Sequence, residues 1–466
     1  AVPCAGRCDF ARVRGDAMLK RVTPDDLRGA MVRLGDVKTA APFVSGLEYG
    51  APARGVWNIV HVGMLIPGAH QIYVCAGNCL RGVVLTAAEM GAQDRFSTIA
   101  VCENNVLDGD MEPLIIDGVT DVLRKLPQLP KAVLVFTSCI HHFMGCDLDY
   151  VYARLRERFP QINFTDCYMY PIMRKTKTPP DPMMRMRLYS FLTRQDIRDE
   201  KCVNIIGNNY PTESSADFVR MLRGAGFELR DITRCRSFVE YLKMAHSRLN
   251  IAYMPPALPA ARDLRERAGM DYLYLPLSYD YAEIRENLAR LADTLDIPMI
   301  DAALLEAEAE RAITTAARLV GETPVVIDYT ATPRPLGLAE LLLDHGVKVR
   351  TVYADAFIPE ERPAFERLRE RYPELELCAT VHPKMGFLPR AARASEAKAG
   401  ALKKTLAIGQ KAAYFCDTPY FVNMLEGGGF WGFDGIVHLA EAICDAVINE
   451  KETKKIIQVK GWGCCC

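Results

Sequence analysis

The sequence predicts an α/β protein made of three doubly wound, Rossmann-like domains with parallel sheets around a central cleft. Short β-branched runs alternate with longer amphipathic segments, the pattern of parallel strands joined by crossover helices. That alternation recurs three times. The length of 466 residues, at roughly 150 residues per domain, independently gives about three domains.

In the first block, Gln71 to Val74 and Ala132 to Phe136 read as buried strands, and Ile115, Val119, Val122, Leu123 and Leu126 fall on one apolar helical face. Met144 to Phe159 reads as the next helix. The second block has strands at Val203 to Ile206, Leu249 to Met254 and Tyr272 to Leu277, and residues 281–320 are helical in composition. The third has strands at Val325 to Tyr329 and Val347 to Val352, a return strand at Ala412 to Phe415, and a last helix from Asp434 to Asn449. Between Thr176 and Pro182 a Lys-Thr-Pro-Pro-Asp-Pro run argues against regular structure, because proline lacks the amide donor and restricts its predecessor. This hinge and Thr323-Pro324 divide the chain into residues 1–180, 181–322 and 323–466.

Composition narrows the function. Hydrophobic residues make up 50% and charged residues 25% of the chain, and no apolar run approaches the ~18 residues a membrane span needs. A net charge of -1 supplies no positive field for a phosphate backbone, so neither a membrane nor a nucleic acid is the expected partner. Sixteen cysteines are spread through the chain, and Ala1-Val2-Pro3-Cys4 lacks the basic and apolar regions of a secretory signal. Thiols held reduced in an anaerobic cytoplasm, as buried fillers or as ligands of soft metals and iron–sulfur clusters, fit this usage.

Two cysteines sit at one special place. Cys75 follows the strand Gln71 to Val74 and Cys139 follows Ala132 to Phe136, so each lies where a strand ends and a helix begins. In open parallel sheets ligands bind in the crevice beyond the carboxyl ends of the strands. Two thiolates are half of the four ligands of a [4Fe-4S] cubane. Cys79, Cys102 and Cys146 could complete the set within one chain, or a twofold axis could bring a second Cys75 and Cys139 opposite the first, the arrangement we favour from the sequence. The competing reading is buried structural thiols.

The segment Gly68 to Gly82, GAHQIYVCAGNCLRG, resembles the Gly-Pro-x-x-Cys turn of nitrogenase component 1 proteins. Phe136 to Asp147, FTSCIHHFMGCD, resembles their second cluster-cysteine segment, and Gly428 to Gly435, GGFWGFDG, is similar to the aromatic turn that opens their last helix. The three matches come in the family order. The resemblance implies a reductase, or a non-catalytic scaffold for metallocofactor assembly derived from one, that carries an iron–sulfur cluster at a subunit interface. It also implies a separate ATP-hydrolysing iron protein as electron donor. The absence of a GxxxxGK[ST] phosphate loop agrees with that division of labour.

The departures from the family pattern are equally specific. Its third, upstream cluster cysteine has no counterpart in Ala51-Pro52-Ala53-Arg54-Gly55, so two ligands per chain imply a single [4Fe-4S] cluster shared in a homodimer, as in relatives such as nickel-sirohydrochlorin diamide reductase, or with a homologous sister subunit. Cys235 loosely resembles the segment that holds the nitrogenase cofactor, but the family's histidine is missing, since no histidine lies between His382 and His438. With Gly428 and Gly429, Cys235 is the candidate for a second metallocluster or a bound tetrapyrrole. His141 and His142 are candidate proton donors beside Cys139, weighed against capping or solvated roles. His61 and His70 have weaker claims, and Arg54 could contact an anionic substrate. Cys4, Cys8 and the terminal Cys464, Cys465 and Cys466 read as flexible ends or a peripheral metal site; Cys167, Cys202, Cys378 and Cys444 read as core, and Cys416 as a weak site candidate. The expected activity is low-potential electron transfer to a substrate in the cleft. A nucleotide-sugar transferase with incidental thiols is the rival that would contain no iron.

Overall fold

A computed structural model of the chain describes residues 27, 29–43, 48–53, 55–173, 179–388 and 404–457. Among these, β1 (Met31–Arg33) precedes three sheets. The first contains β2 (Ala69–Ala76), β3 (Phe96–Val101), β4 (Ala132–Ser138) and β5 (Asn163–Met169) in the order β3-β2-β4-β5. The second contains β6 (Asp199–Ile205), β7 (Glu228–Asp231), β8 (Ser247–Ala252) and β9 (Tyr272–Tyr274) in the order β7-β6-β8-β9. The third contains β10 (Val325–Asp328), β11 (Val349–Tyr353), β12 (Glu376–Cys378), β13 (Leu406–Ile408) and β14 (Phe421–Val422), with β1 at its edge, in the order β1-β12-β11-β10-β13-β14.

All strand pairs of the first two sheets are parallel. Double winding shows in how single strands divide their side chains. Tyr73, Cys75, Leu134 and Phe136 enter one apolar cluster, while Ile72, Val74, Val133 and Val135 enter another on the opposite face. A strand covered by helices on both faces reads as a continuous apolar run, which is why β2 and β4 are visible in the sequence. The middle sheet turns Val203, Ile205, Leu249 and Ile251 toward the third block and Ile206 and Ala252 toward the first, so the cores run across the block boundaries. No helix of the described residues is long and apolar enough to cross a membrane.

Three details differ from the sequence reading. Ala412 to Phe415 is not a strand but part of the helix Gln410–Cys416; the strand is β13, just before it, and Gly409 at φ 109° separates the two. A four-residue apolar run carries no period that tells a buried strand from a buried helix. Of the proline run only Pro179 to Pro182 lies among the described residues, and it is not all irregular: Pro180 and Pro182 fall in the first turn of the helix Pro180–Leu188, where a missing N–H costs nothing. Within residues 1–180, β1 leaves the first block and pairs antiparallel with β12, Met31 opposite Cys378; a three-residue strand carries no readable pattern of its own.

Candidate metal centre

The chain leaves β2 toward β3 on one side and β4 toward β5 on the other, so the carboxyl ends of the adjacent strands β2 and β4 form a topological switch point. Cys75 is the penultimate residue of β2, and Cys139 opens the short helix Cys139–Phe143 directly after β4. Val74 pairs with Thr137, which brings the two cysteines to the same end of neighbouring strands. Cys79 lies four residues beyond Cys75, in the first turn of the helix Gly77–Glu89. The three thiols are electrostatic neighbours, Cys75 of both others and Cys79 of Cys139. Cys75 has 0% exposure, and burial, followed by Cys79 and Cys139, pushes its thiol up to about 12. Burial and Cys139 raise Cys79 as well. All three are free thiols.

The remaining sulfur candidates separate from this group. Cys146 packs with Ile140 and Leu148 on the other face of the sheet, and burial together with the Glu112 carboxylate pushes its thiol up to about 12. Cys102 is exposed at the N-cap of Glu103–Asp108, its backbone N–H donating to Asn105. His141 is buried: its ring meets the Ser138 backbone in a capping box, its Nε2 has no hydrogen-bond partner, and burial lowers its pKa. His142 is exposed, its ring 5.9 Å from Tyr170. His61 caps its own helix with Asn58, while His70 is buried against Ser97 and pushed down to about 4 by burial and Arg95. Arg54, Cys4, Cys8, Cys464, Cys465 and Cys466 lie outside the described residues.

Among the described residues no three His, Cys, Asp or Glu side chains are close enough for a single metal ion. An iron–sulfur cubane makes a different demand, since each thiolate binds its own iron and the ligands stand apart around the cluster. Free thiols gathered at one strand edge, Cys75 buried and Cys79 and Cys139 partly exposed, fit that demand. Alanine at position 76 caps the Gly77–Glu89 helix without a side-chain hydrogen bond, so the positive end of its dipole is left for anionic sulfur.

The candidates for a second cofactor meet different surroundings. The Cys235 thiol donates to the Asp231 carbonyl at 3.4 Å, and burial followed by the Asp231 and Glu240 carboxylates pushes it up to about 11. Gly429 holds φ 84°, and a Cβ there would stand 2.3 Å from the Pro211 carbonyl oxygen, so this glycine admits the chain's own backbone. Beside it lies a junction that no local motif announces. Glu426 accepts from the Asn209 side chain and the Trp57 backbone and pairs with Arg185 at 3.7 Å. Arg185, 2% exposed, also donates to the Gly207 carbonyl and to Asn209, both at 2.8 Å. The backbone N–H groups of Glu426 and Gly427 donate to Thr330 and Ala331, just beyond β10. One carboxylate thus ties all three blocks together.

Nor did the sequence point to Asp217. Its Oδ2 accepts from the Phe433 N–H at 2.6 Å, so the second block caps the last helix, Gly432–Ile448, of the third. Only an alignment would have exposed these pairs, since their partners lie more than 200 residues away.

The sequence matches the family described as nitrogenase component 1 type oxidoreductase over residues 115–448, a span that includes Cys139 and begins after Cys75. Among solved structures the fold is similar to one described as nitrogenase Cp1 at pH 6.5, with a TM-score of 0.63 and 13% identity, covering 88% of this chain and 96% of that one. It is also similar to nitrogenase Cp1 at pH 5, with a TM-score of 0.56 and 13% identity, covering 90% and 94%. At such identities the likeness is one of fold. No curated protein matches the sequence.

Proposed function

The chain belongs to the nitrogenase component 1 type oxidoreductase family, and from that premise we propose that it is the component 1-like subunit of an ATP-dependent, two-component reductase. A separate ATP-hydrolysing iron protein would donate the electrons, in keeping with a sequence that has no phosphate loop of its own. The observation that carries the reading is the meeting of Cys75 and Cys139 at the switch point of the first sheet. An iron–sulfur cluster bound there would supply a low-potential, one-electron relay.

The chain's own residues set the conditions for that relay. Buried Cys75 and the apolar side chains of β2 and β4 exclude water, and the free end of the Gly77–Glu89 helix favours negative charge. His142, exposed and next to Tyr170, is placed to exchange protons with solvent, whereas His141 is buried, its pKa lowered by that burial, and positions the turn that carries Cys139. Phe143 and Met144 expose 69% and 41% of their surface within five residues of Cys139, which supports a subunit contact here, with a second copy or a sister subunit.

The test is the iron, acid-labile sulfide, molybdenum, vanadium and nickel content of anaerobically purified protein. Cys75→Ser and Cys139→Ser should lose the iron and Cys444→Ser should keep it. Equal iron in all three variants overturns the reading, and transfer of the bound metal group to an acceptor protein without a reduced product would mark a scaffold instead.

A further inference from the structure

We infer that Cys79 is the third thiolate of this centre, so that one chain binds three irons of its own four-iron unit. The inference rests on the iron–sulfur reading above and changes its stoichiometry. Cys79 follows Cys75 by four residues, across the turn from the end of β2 into the first turn of the helix Gly77–Glu89, and both belong to the same apolar cluster, Cys75 within it and Cys79 packed against it. The structure makes each of the three thiols a neighbour of the other two. Neither of the other candidates shares this position: Cys146 has Tyr170 as a neighbour in common with Cys139 but packs against the opposite apolar cluster and is hydrogen-bonded to Glu112, and Cys102 caps a separate helix in solvent.

Ligand arithmetic then decides between the two completions. A cubane shared across a twofold axis has four sites, which two thiolates from each chain fill. Three from each chain would be two too many. With Cys79 ligating, each chain holds its own four-iron unit, and one iron is left for a non-cysteine group or a group from the partner.

The first experiment counts metal. Anaerobically reconstituted full-length protein should carry about four irons per chain, against about two for a shared cubane. Cys79→Ala should lower iron and sulfide at least about twofold and change the electron paramagnetic resonance spectrum of the reduced protein, as loss of a ligand to one iron requires. Cys102→Ala and Cys146→Ala should change neither. Wild-type iron and an unchanged spectrum in Cys79→Ala, with Cys75→Ala depleted, overturn the third ligand and leave the iron–sulfur reading standing. Full iron in Cys75→Ala and Cys139→Ala removes the reading itself.

A second measurement needs no variant and therefore does not depend on Cys79→Ala folding. Iodoacetamide alkylation of the purified protein, mapped by mass spectrometry before and after chelation of iron, should find Cys79 protected only while iron is bound. Cys102 should react in both states. Equal reactivity of Cys79 in the two states overturns the inference.

Discussion

The carboxyl edge of the first sheet and the junction of the second and third blocks are built from the same device, loops leaving parallel strands at a switch point. Their side chains differ in what they leave unanswered. At the first, three reduced thiols meet with no cationic partner among the described residues, and the buried His141 Nε2 near them lacks a hydrogen bond. At the second, Glu426, Arg185 and Asn209 satisfy one another, and Gly429 lies against the Pro211 carbonyl. A fold that repeats one architecture has thus left donors available at one switch point and consumed them at another. The largest expected effect follows: Cys75→Ser or Cys139→Ser should empty the first region of iron, by metal analysis, while circular dichroism shows that the secondary structure is retained.

The converse break is at the junction. Arg185→Met leaves Glu426, the Gly207 carbonyl and the Asn209 oxygen without their common partner in a buried place. Removing one member of a buried pair typically costs about 3–5 kcal/mol, because the remaining charge stays desolvated. Urea unfolding should show a loss of that size, with iron per folded chain unchanged. A loss below about 1 kcal/mol would mean that water reaches Glu426 and that the junction is open.

These two regions were not equally legible in the sequence. The strands buried on both faces, the crossover helices and the cysteines behind β2 and β4 are local signals, since a strand end and the following residue are neighbours in the chain. The Arg185–Glu426 pair and the Asp217 cap are not, because each residue by itself is an ordinary charged residue in a polar segment. The short edge strand β1 and the helix at Ala412 to Phe415 escaped for a related reason: three or four residues cannot display a period, and their tertiary partners decide the conformation. What separates Cys79 from Cys146 is likewise which face of the sheet each side chain packs against, and what separates it from Cys102 is the latter's exposure; both emerge only on folding.

Asp217 sharpens the contrast by pH. It has 0% exposure, its Oδ1 has no hydrogen-bond partner, and burial raises its pKa from 3.8 to about 7 against the hydrogen bonds from Phe433 and Asp434. Asp434, held by Ser215 and His438, adds repulsion, and Arg220 opposes it. The folded state therefore binds the proton more tightly than the unfolded chain. The associated stability is complete below about pH 4 and is lost as pH rises to about 7. From pH 5 to pH 8 the wild type should lose on the order of 2–3 kcal/mol relative to Asp217→Asn in parallel urea titrations. Parallel curves would show that the carboxylate is already ionised at pH 5.

The smallest effect tests whether the second region holds metal at all. Cys235 has the residue type of a ligand, but its thiol donates to the Asp231 carbonyl, and its nearest charges are the carboxylates of Asp231 and Glu240, with Arg230 opposing them. Anionic neighbours disfavour a thiolate. Cys235→Ala should therefore leave iron and every heterometal unchanged and cost about 1 kcal/mol through lost packing and one weak hydrogen bond. A fall in metal content with Cys75 and Cys139 intact would place a second centre at the junction and erase the contrast between the two switch points.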